Sequence, residues 1–141
     1  MTNPARLKVI EVGCAIIRRQ DQLLIAQRKP DDNFGGYWEF PGGKRCRGES
    51  LEACLVREVQ EELGIVIVPD RLLQKIDHAY PARILALHFY LCDWKSGEPV
   101  CIDCHDFRWI QPEEMRDFKF PPADDGIIEE LILNKEKYFS R

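Results

Sequence analysis

Glu49, Arg57, Glu58, Glu61 and Glu62 are the residues of this chain whose types and spacing could do chemistry together. If residues 51–63 are helical, a turn of about 100° per residue places Glu58 and Glu62 within about 40° of each other. Glu61 then lies about 60° further round, so three carboxylates share an arc of ~100° on one face. Like charges three or four residues apart cost an isolated helix roughly 0.2–0.5 kcal/mol per pair. Arg57 is one cation against three anions. Taken alone, such a stripe is either a solvated acidic face or a site that hard cations neutralise. Mg²⁺ suits the second reading, because it keeps several waters and binds through one or two carboxylates plus substrate phosphates. Glu49 stands just ahead of the helix and could approach the same cluster from the loop.

The elements that must position these residues are legible nearby. Ser50 is a good N-cap, Glu52 sits at the positive end, and Gly64 is the expected stop for a helix over residues 51–63. Leu55, Val56, Val59 and Leu63 form an apolar stripe beside the acids, suited to a core contact. Upstream, residues 9–18 and 23–27 read as strands joined by a turn at Gln20-Asp21-Gln22. A polar loop over residues 31–37 leads to Trp38-Glu39-Phe40 and the breaker cluster Pro41-Gly42-Gly43. Downstream, residues 65–68 read as a short strand closed by Pro69-Asp70. Residues 72–80 and 83–94 read as two longer strands flanking Pro81-Ala82, with a turn at residues 96–99 and another strand at 107–110. A second helix fits residues 125–138. Strands outnumber helices, which points to a mixed α/β (α+β) layered fold and not to a parallel βαβ array.

Composition narrows the function classes. The 141 residues suit one domain over the whole chain, with 45% apolar and 31% charged residues. No apolar run is long enough to span a membrane, and residues 1–8 lack the apolar stretch of a signal peptide, so a cytoplasmic location and no membrane partner are expected. The formal charge of −4 and the lack of a basic block argue against a nucleic-acid polymer as partner. A polyanionic small substrate would be repelled unless metal cations mediate its contact. The six cysteines read as reduced thiols. Cys101 and Cys104, with His105 beside them, have metal-site spacing but lack the second pair that a structural zinc site needs.

The full pattern from Gly43 to Ile65 is more specific than the acidic stripe. A glycine, five residues, Glu49, seven residues, Arg57-Glu58, an aliphatic residue, any residue, Glu61-Glu62, any residue, Gly64 and an aliphatic residue stand in order. A chance match in so short a chain is on the order of 10⁻⁸. This pattern resembles the Nudix box, with every fixed position met. Trp38-Glu39-Phe40-Pro41-Gly42-Gly43-Lys44, the run His78-Ala79-Tyr80-Pro81-Ala82-Arg83, Leu87-His88-Phe89-Tyr90, Trp109 and Phe120-Pro121-Pro122-Ala123 resemble the MutT-type branch. The similarity covers residues 9–131.

The resemblance implies a Nudix fold, an α/β/α sandwich with a mixed sheet between helices. It also implies Mg²⁺-dependent hydrolysis, with Mn²⁺ as a possible substitute, of a nucleoside triphosphate to monophosphate and pyrophosphate. Water attacks the β-phosphorus, in a nucleotide-pool sanitising role. Glu58, Glu61 and Glu62 are the implied metal ligands, with Glu49 and Gly43 in support and Asp103 as an added acid from a late loop. Asp103 departs from the Glu usual there. Glu58 or Glu61 is the implied base, and Arg57 orients a glutamate. Gly42 and Gly43 leave room for metal or phosphate, Arg28 and Lys44 suit phosphate, and Glu39 and Arg83 fall in the matching segments as further substrate contacts.

Base selection is expected from Phe34, Tyr37, Asp124 and Asp125. Asp124 stands where the branch commonly has Asn. As an anion it only accepts, which suits the cytosine amino group, while guanine and its 8-oxo form also offer donors. A neighbouring acid could instead keep it protonated as a donor. A pyrimidine or broad sanitising specificity is therefore expected over a strict 8-oxoguanine one, although Asp124 could merely cap the last helix. His78 and His88 read as packing or surface residues. A small nucleotide is the expected partner, and the chain is expected to be a monomer or a homodimer. The alternatives are an ADP-ribose or other nucleoside diphosphate hydrolase, a nucleotide sensor, and a base-reading module.

Overall fold

The computed structural model describes residues 7–139, so most of the polar amino-terminal segment read above lies outside the described residues. Strand β1 (Lys8–Arg19) is the axis of a seven-stranded sheet with the order β3-β2-β1-β6-β5. Along one edge it runs parallel to β6 (Arg83–Ser96), from Lys8 opposite Arg83 to Arg18 opposite Asp93. Its other edge is shared by two antiparallel partners. Residues 17–19 pair with β2 (Gln22–Gln27), and residues 12–14 pair with β4 (Gly42–Lys44). β7 (Asp106–Ile110) and the short β3 (Trp38–Glu39) pair with β2. β5 (Val66–Tyr80) closes the far edge against β6.

Because side chains alternate along a strand, β1 feeds both faces of the sheet. Ala15 and Ile17 join Leu55, Val59 and Leu63 of helix α1 (Leu51–Leu63) on one face. Ile16 joins Phe89, Leu91, Met115, Ile127 and Leu131 on the other, under α2 (Asp125–Leu133) and α3 (Lys135–Tyr138). The result is a mixed sheet between helical layers, as the resemblance implies. Among the described residues, no helix is long and apolar enough to cross a membrane.

Helix α1 has the expected bounds and caps. Ser50 Oγ accepts from Ala53 N–H at 3.0 Å, and Gly64, at φ 70°, donates its N–H to the carbonyl of Gln60 at 2.9 Å.

Four features differ from the sequence reading. Pro69 does not end a strand. β5 continues through it to Tyr80, because it is an edge strand whose register shifts around residues 69–71 absorb the missing N–H. The Pro-Gly-Gly cluster does not simply break structure, since Gly42 to Lys44 form β4. The last helix is interrupted at Asn134, at φ −118° and ψ 37°, so α2 and α3 are separate. Residues 112–117 add a 3₁₀ helix that periodicity did not suggest.

A Cβ at residue 42 would fall 1.9 Å from the carbonyl oxygen of Gly13, a backbone atom within the β1–β4 pairing. Gly42→Ala is therefore expected to cost roughly 2 kcal/mol, about 4–8 °C in Tm for a chain of this size. An unchanged thermal melt would mean that β4 does not need this close approach.

Candidate active site

The candidate site begins where α1 lies across β1 and β4. Gly13 and Gly43 are register partners, and both face the helix. A Cβ on Gly13 would meet Leu55 Cδ2 at 2.8 Å, and one on Gly43 would fall 1.8 Å from Glu58 Oε2. The glycines thus let the helix settle close enough to lay its acidic stripe along the strand ends.

Arg57 organises the outer half of that stripe. Its Nε and Nη2 donate to the two carboxylate oxygens of Glu49 at 3.1 and 2.7 Å, a bidentate clasp. Nη1 donates to Glu58 at 2.9 Å and to Glu61 at 3.1 Å. The clasp, with a further bond from Cys46 N–H, holds the Glu49 carboxyl at about 2. The same partners push the Arg57 guanidinium further up.

The inner half has little compensation. Burial raises Glu58 even with Arg57 beside it. Glu62 is only 9% exposed, and burial, then the charges of Glu39 and Glu58, raise it to about 9. Among the described residues its one opposing contact is the Gly42 N–H at 3.3 Å. Glu39, across from Glu62, is raised by burial and partly lowered by Arg28, which donates to it at 2.8 Å. Asp124 ends the row. Burial, then Glu39 and Asp125, raise it to about 7.

Glu39 and Asp124 line a cleft of about 710 Å³ that reaches Gly42 and Gly43, where Glu62 and Glu58 adjoin it. Among the expected substrate contacts, Arg28, Phe34, Glu39, Gly42, Lys44, Arg83 and Asp124 line it. Tyr37 stands behind Phe34, edge-to-face at 5.3 Å, and Asp125 does not reach the wall. Arg28 is already engaged by Glu39 and by the carbonyl of Asn33 at 2.7 Å. Asp124 precedes α2 but makes no side-chain cap there.

The sequence reading missed Cys14, Tyr80, Leu85 and Leu87, which also line the cleft, and took His78, another lining residue, as a packing or surface residue. Alternation along β1 and β6 was the available signal: Cys14, Leu85 and Leu87 share one side of the sheet. His88 is on the other side, buried against Glu11. Asp103 lies at the carboxyl end of α1, where its N–H donates to the Glu62 carbonyl at 3.1 Å. Its carboxylate is bound to Lys29 at 2.6 Å.

Among the described residues, no three acids, thiols or imidazoles enclose a cation by themselves. The donor set still fits a hard divalent cation. Glu58, Glu61 and Glu62 offer carboxylate oxygens, Glu62 is buried with no cation bonded to it, and Mg²⁺ takes the rest of its shell from phosphates and water.

The chain matches the family model of the NUDIX domain over residues 12–130. It is 35% identical over 126 residues to an 8-oxo-dGTP diphosphatase of Haemophilus influenzae, covering 89% of this chain and 93% of that protein. It is also 35% identical over 126 residues to the CTP pyrophosphohydrolase of Escherichia coli, with the same coverage of each. In structure it is similar to the E. coli ORF135 protein, with a TM-score of 0.83, 32% identity, and 96% of this chain and 97% of that one covered.

The raised Asp124 carboxyl sets a pH dependence. A carboxyl whose pKa is higher folded than unfolded adds its full stability below the unfolded value, 3.8, and loses it as pH rises through about 7. Asp124→Asn is therefore expected to match the parent in chemical denaturation near pH 4 and to exceed it at pH 8. The gain should be about 1.4 kcal/mol for each unit of upward shift. Parallel stability–pH curves for the two proteins would remove this account.

Proposed function

The chain belongs to the Nudix hydrolase family, and from that premise we propose that it hydrolyses a nucleoside triphosphate to the monophosphate and pyrophosphate as a nucleotide-pool sanitising enzyme. The observation that carries the reading is the juxtaposition of Glu58 and Glu62 with Gly42 and Gly43 at the head of a cleft that ends on Asp124. The similarity to an 8-oxo-dGTP diphosphatase and a CTP pyrophosphohydrolase over most of the chain supports the same reaction.

In this reading Glu58, Glu61 and Glu62 hold Mg²⁺ or Mn²⁺, with Glu49, the Gly43 backbone and Asp103 in support. The bound cation supplies charge neutralisation for the phosphates and a more acidic water for attack at the β-phosphorus. Arg57 keeps Glu49, Glu58 and Glu61 in fixed relation, and Glu58 or Glu61 accepts the proton of the attacking water. Lys44 and Arg83, on the cleft wall, offset the charge of the phosphate chain. Arg28 orients Glu39, and Phe34 offers a ring face for a base.

At the far end, Asp124 reads the base edge. Its carboxyl near neutrality can accept from an amino group when ionised and donate when protonated. That dual capacity favours cytosine-containing or several sanitising substrates over strict selection of 8-oxoguanine.

Product analysis tests the reaction. The protein would be incubated with Mg²⁺ and dCTP, CTP, 5-methyl-dCTP, 8-oxo-dGTP, the other triphosphates and ADP-ribose, then resolved by anion exchange. Monophosphate plus pyrophosphate from one or a few triphosphates is expected. Turnover of ADP-ribose with no triphosphate cleaved would overturn the branch assignment. Glu61→Gln should lower kcat by at least about 10²-fold while retaining nucleotide binding. Asp124→Asn should shift the ratio of kcat/KM between cytosine and guanine substrates, and an unchanged ratio would remove Asp124 from base selection.

A further inference from the structure

Cys101 and Cys104 take no part in the chemistry above, yet the fold holds them in a defined place. They lie in the strap between β6 and β7, which is fastened to the carboxyl end of α1. Val100 N–H donates to the Leu63 carbonyl at 3.0 Å, and the N–H groups of Ile102 and Asp103 both donate to the Glu62 carbonyl, at 3.0 and 3.1 Å. His105 N–H donates to the Gln27 carbonyl at 2.8 Å and fixes the other end. Ile102 N–H also reaches the Val100 carbonyl at 3.0 Å, closing a three-residue turn centred on Cys101.

That turn, with the bends over residues 102–105, folds the strap back on itself between Cys101 and Cys104. A disulfide needs Cα atoms closer than about 7 Å, and a turn at Cys101 shortens the span in that sense. The two thiols differ in access. Cys101 is exposed, whereas Cys104 is half-buried against the apolar cluster under α1. Both are free. A tetrahedral zinc site would need four donors, and among the described residues not even three gather here.

We propose that Cys101 and Cys104 form a redox-modification site, a dithiol that a hydroperoxide converts to a disulfide across the strap. The exposed Cys101 sulfur attacks a peroxide oxygen. The O–O bond breaks, one water (or alcohol) leaves, and Cys101 becomes a sulfenic acid. The Cys104 sulfur then attacks the Cys101 sulfur, the S–O bond breaks, the Cys104 proton leaves with the departing oxygen as water, and the S–S bond forms. The dithiol loses two electrons and two protons, and the peroxide is reduced by two electrons. The ring so formed encloses Ile102 and Asp103, the two residues whose N–H groups hold the Glu62 carbonyl. Oxidation is thereby coupled to the end of the acidic helix, and an added dithiol reverses it by exchange.

The test uses the full chain, treated with a small excess of hydrogen peroxide, alkylated and digested with trypsin. Residues 96–108 form one tryptic peptide that contains Cys101 and Cys104 and no other cysteine. The expected product is this peptide lighter by two hydrogens and refusing alkylation, returning to the doubly alkylated form after dithiothreitol. In Cys104→Ser the bridge is lost and dimedone traps a sulfenic acid at Cys101, while in Cys101→Ser position 104 is not trapped. Cys46, the other exposed thiol, is scored in the same digest and keeps its reactivity out of the comparison. Two alkylated thiols after peroxide, or a sulfinic acid at Cys101 with Cys104 still alkylated, would overturn the proposal.

Discussion

Gly13 in β1 and Gly43 in β4 stand side by side beneath α1, and the missing Cβ atoms set how near the helix comes to the sheet. Leu55 descends onto the first and the Glu58 carboxylate onto the second. A larger residue at either position would lift the helix by the width of a methyl group, enough to separate carboxylates from the strand ends they border. The site therefore depends on a backbone contact more than on any single side chain. The sheet is arranged to allow it, with β1 free along residues 12–14 to accept β4 instead of continuing its pairing with β2.

Close approach has an electrostatic consequence. Acids brought against the sheet lose water, and burial is the largest influence on Glu58, Glu62, Glu39 and Asp124 alike. Arg57 compensates the outer end of the row, at Glu49, Glu58 and Glu61, and Arg28 compensates Glu39. Between them Glu62 receives, among the described residues, only a backbone N–H. Near neutral pH this carboxyl keeps its proton, which a hard cation bound here would displace, and the cleft runs from Gly42 and Gly43 to Asp124.

The strap over residues 100–105 gives the acidic helix a second anchor. The last carbonyls of a helix need partners, and here the Glu62 and Leu63 carbonyls find them in Val100, Ile102 and Asp103 while Gly64 turns the chain away. Lys29 binds Asp103 at 2.6 Å and ties the strap to the loop after β2.

What the sequence determined by itself was local. The bounds of α1, its Ser50 and Gly64 caps, its apolar stripe and the arc shared by Glu58, Glu61 and Glu62 follow from periodicity and capping within some fifteen residues. The strong spacing pattern around them named the family and its fold. Tertiary structure decided the rest, because it depends on partners far apart in the chain. Pro69 reads as a stop, yet its missing N–H costs little on an edge strand, and only the sheet order makes β5 an edge. Gly42-Gly43 reads as a breaker, yet it is a strand because β1 lies opposite. Asp124 reads equally as a helix cap or a cleft residue, and only packing sets it beside Glu39 and raises its carboxyl. Cys101 and Cys104 are visible as a spacing, but bonds to the carbonyls of Glu62 and Leu63 fold the strap that carries them. Local pattern fixes which face a residue presents, and long-range packing fixes what that face meets, which is where charge, burial and reactivity are decided.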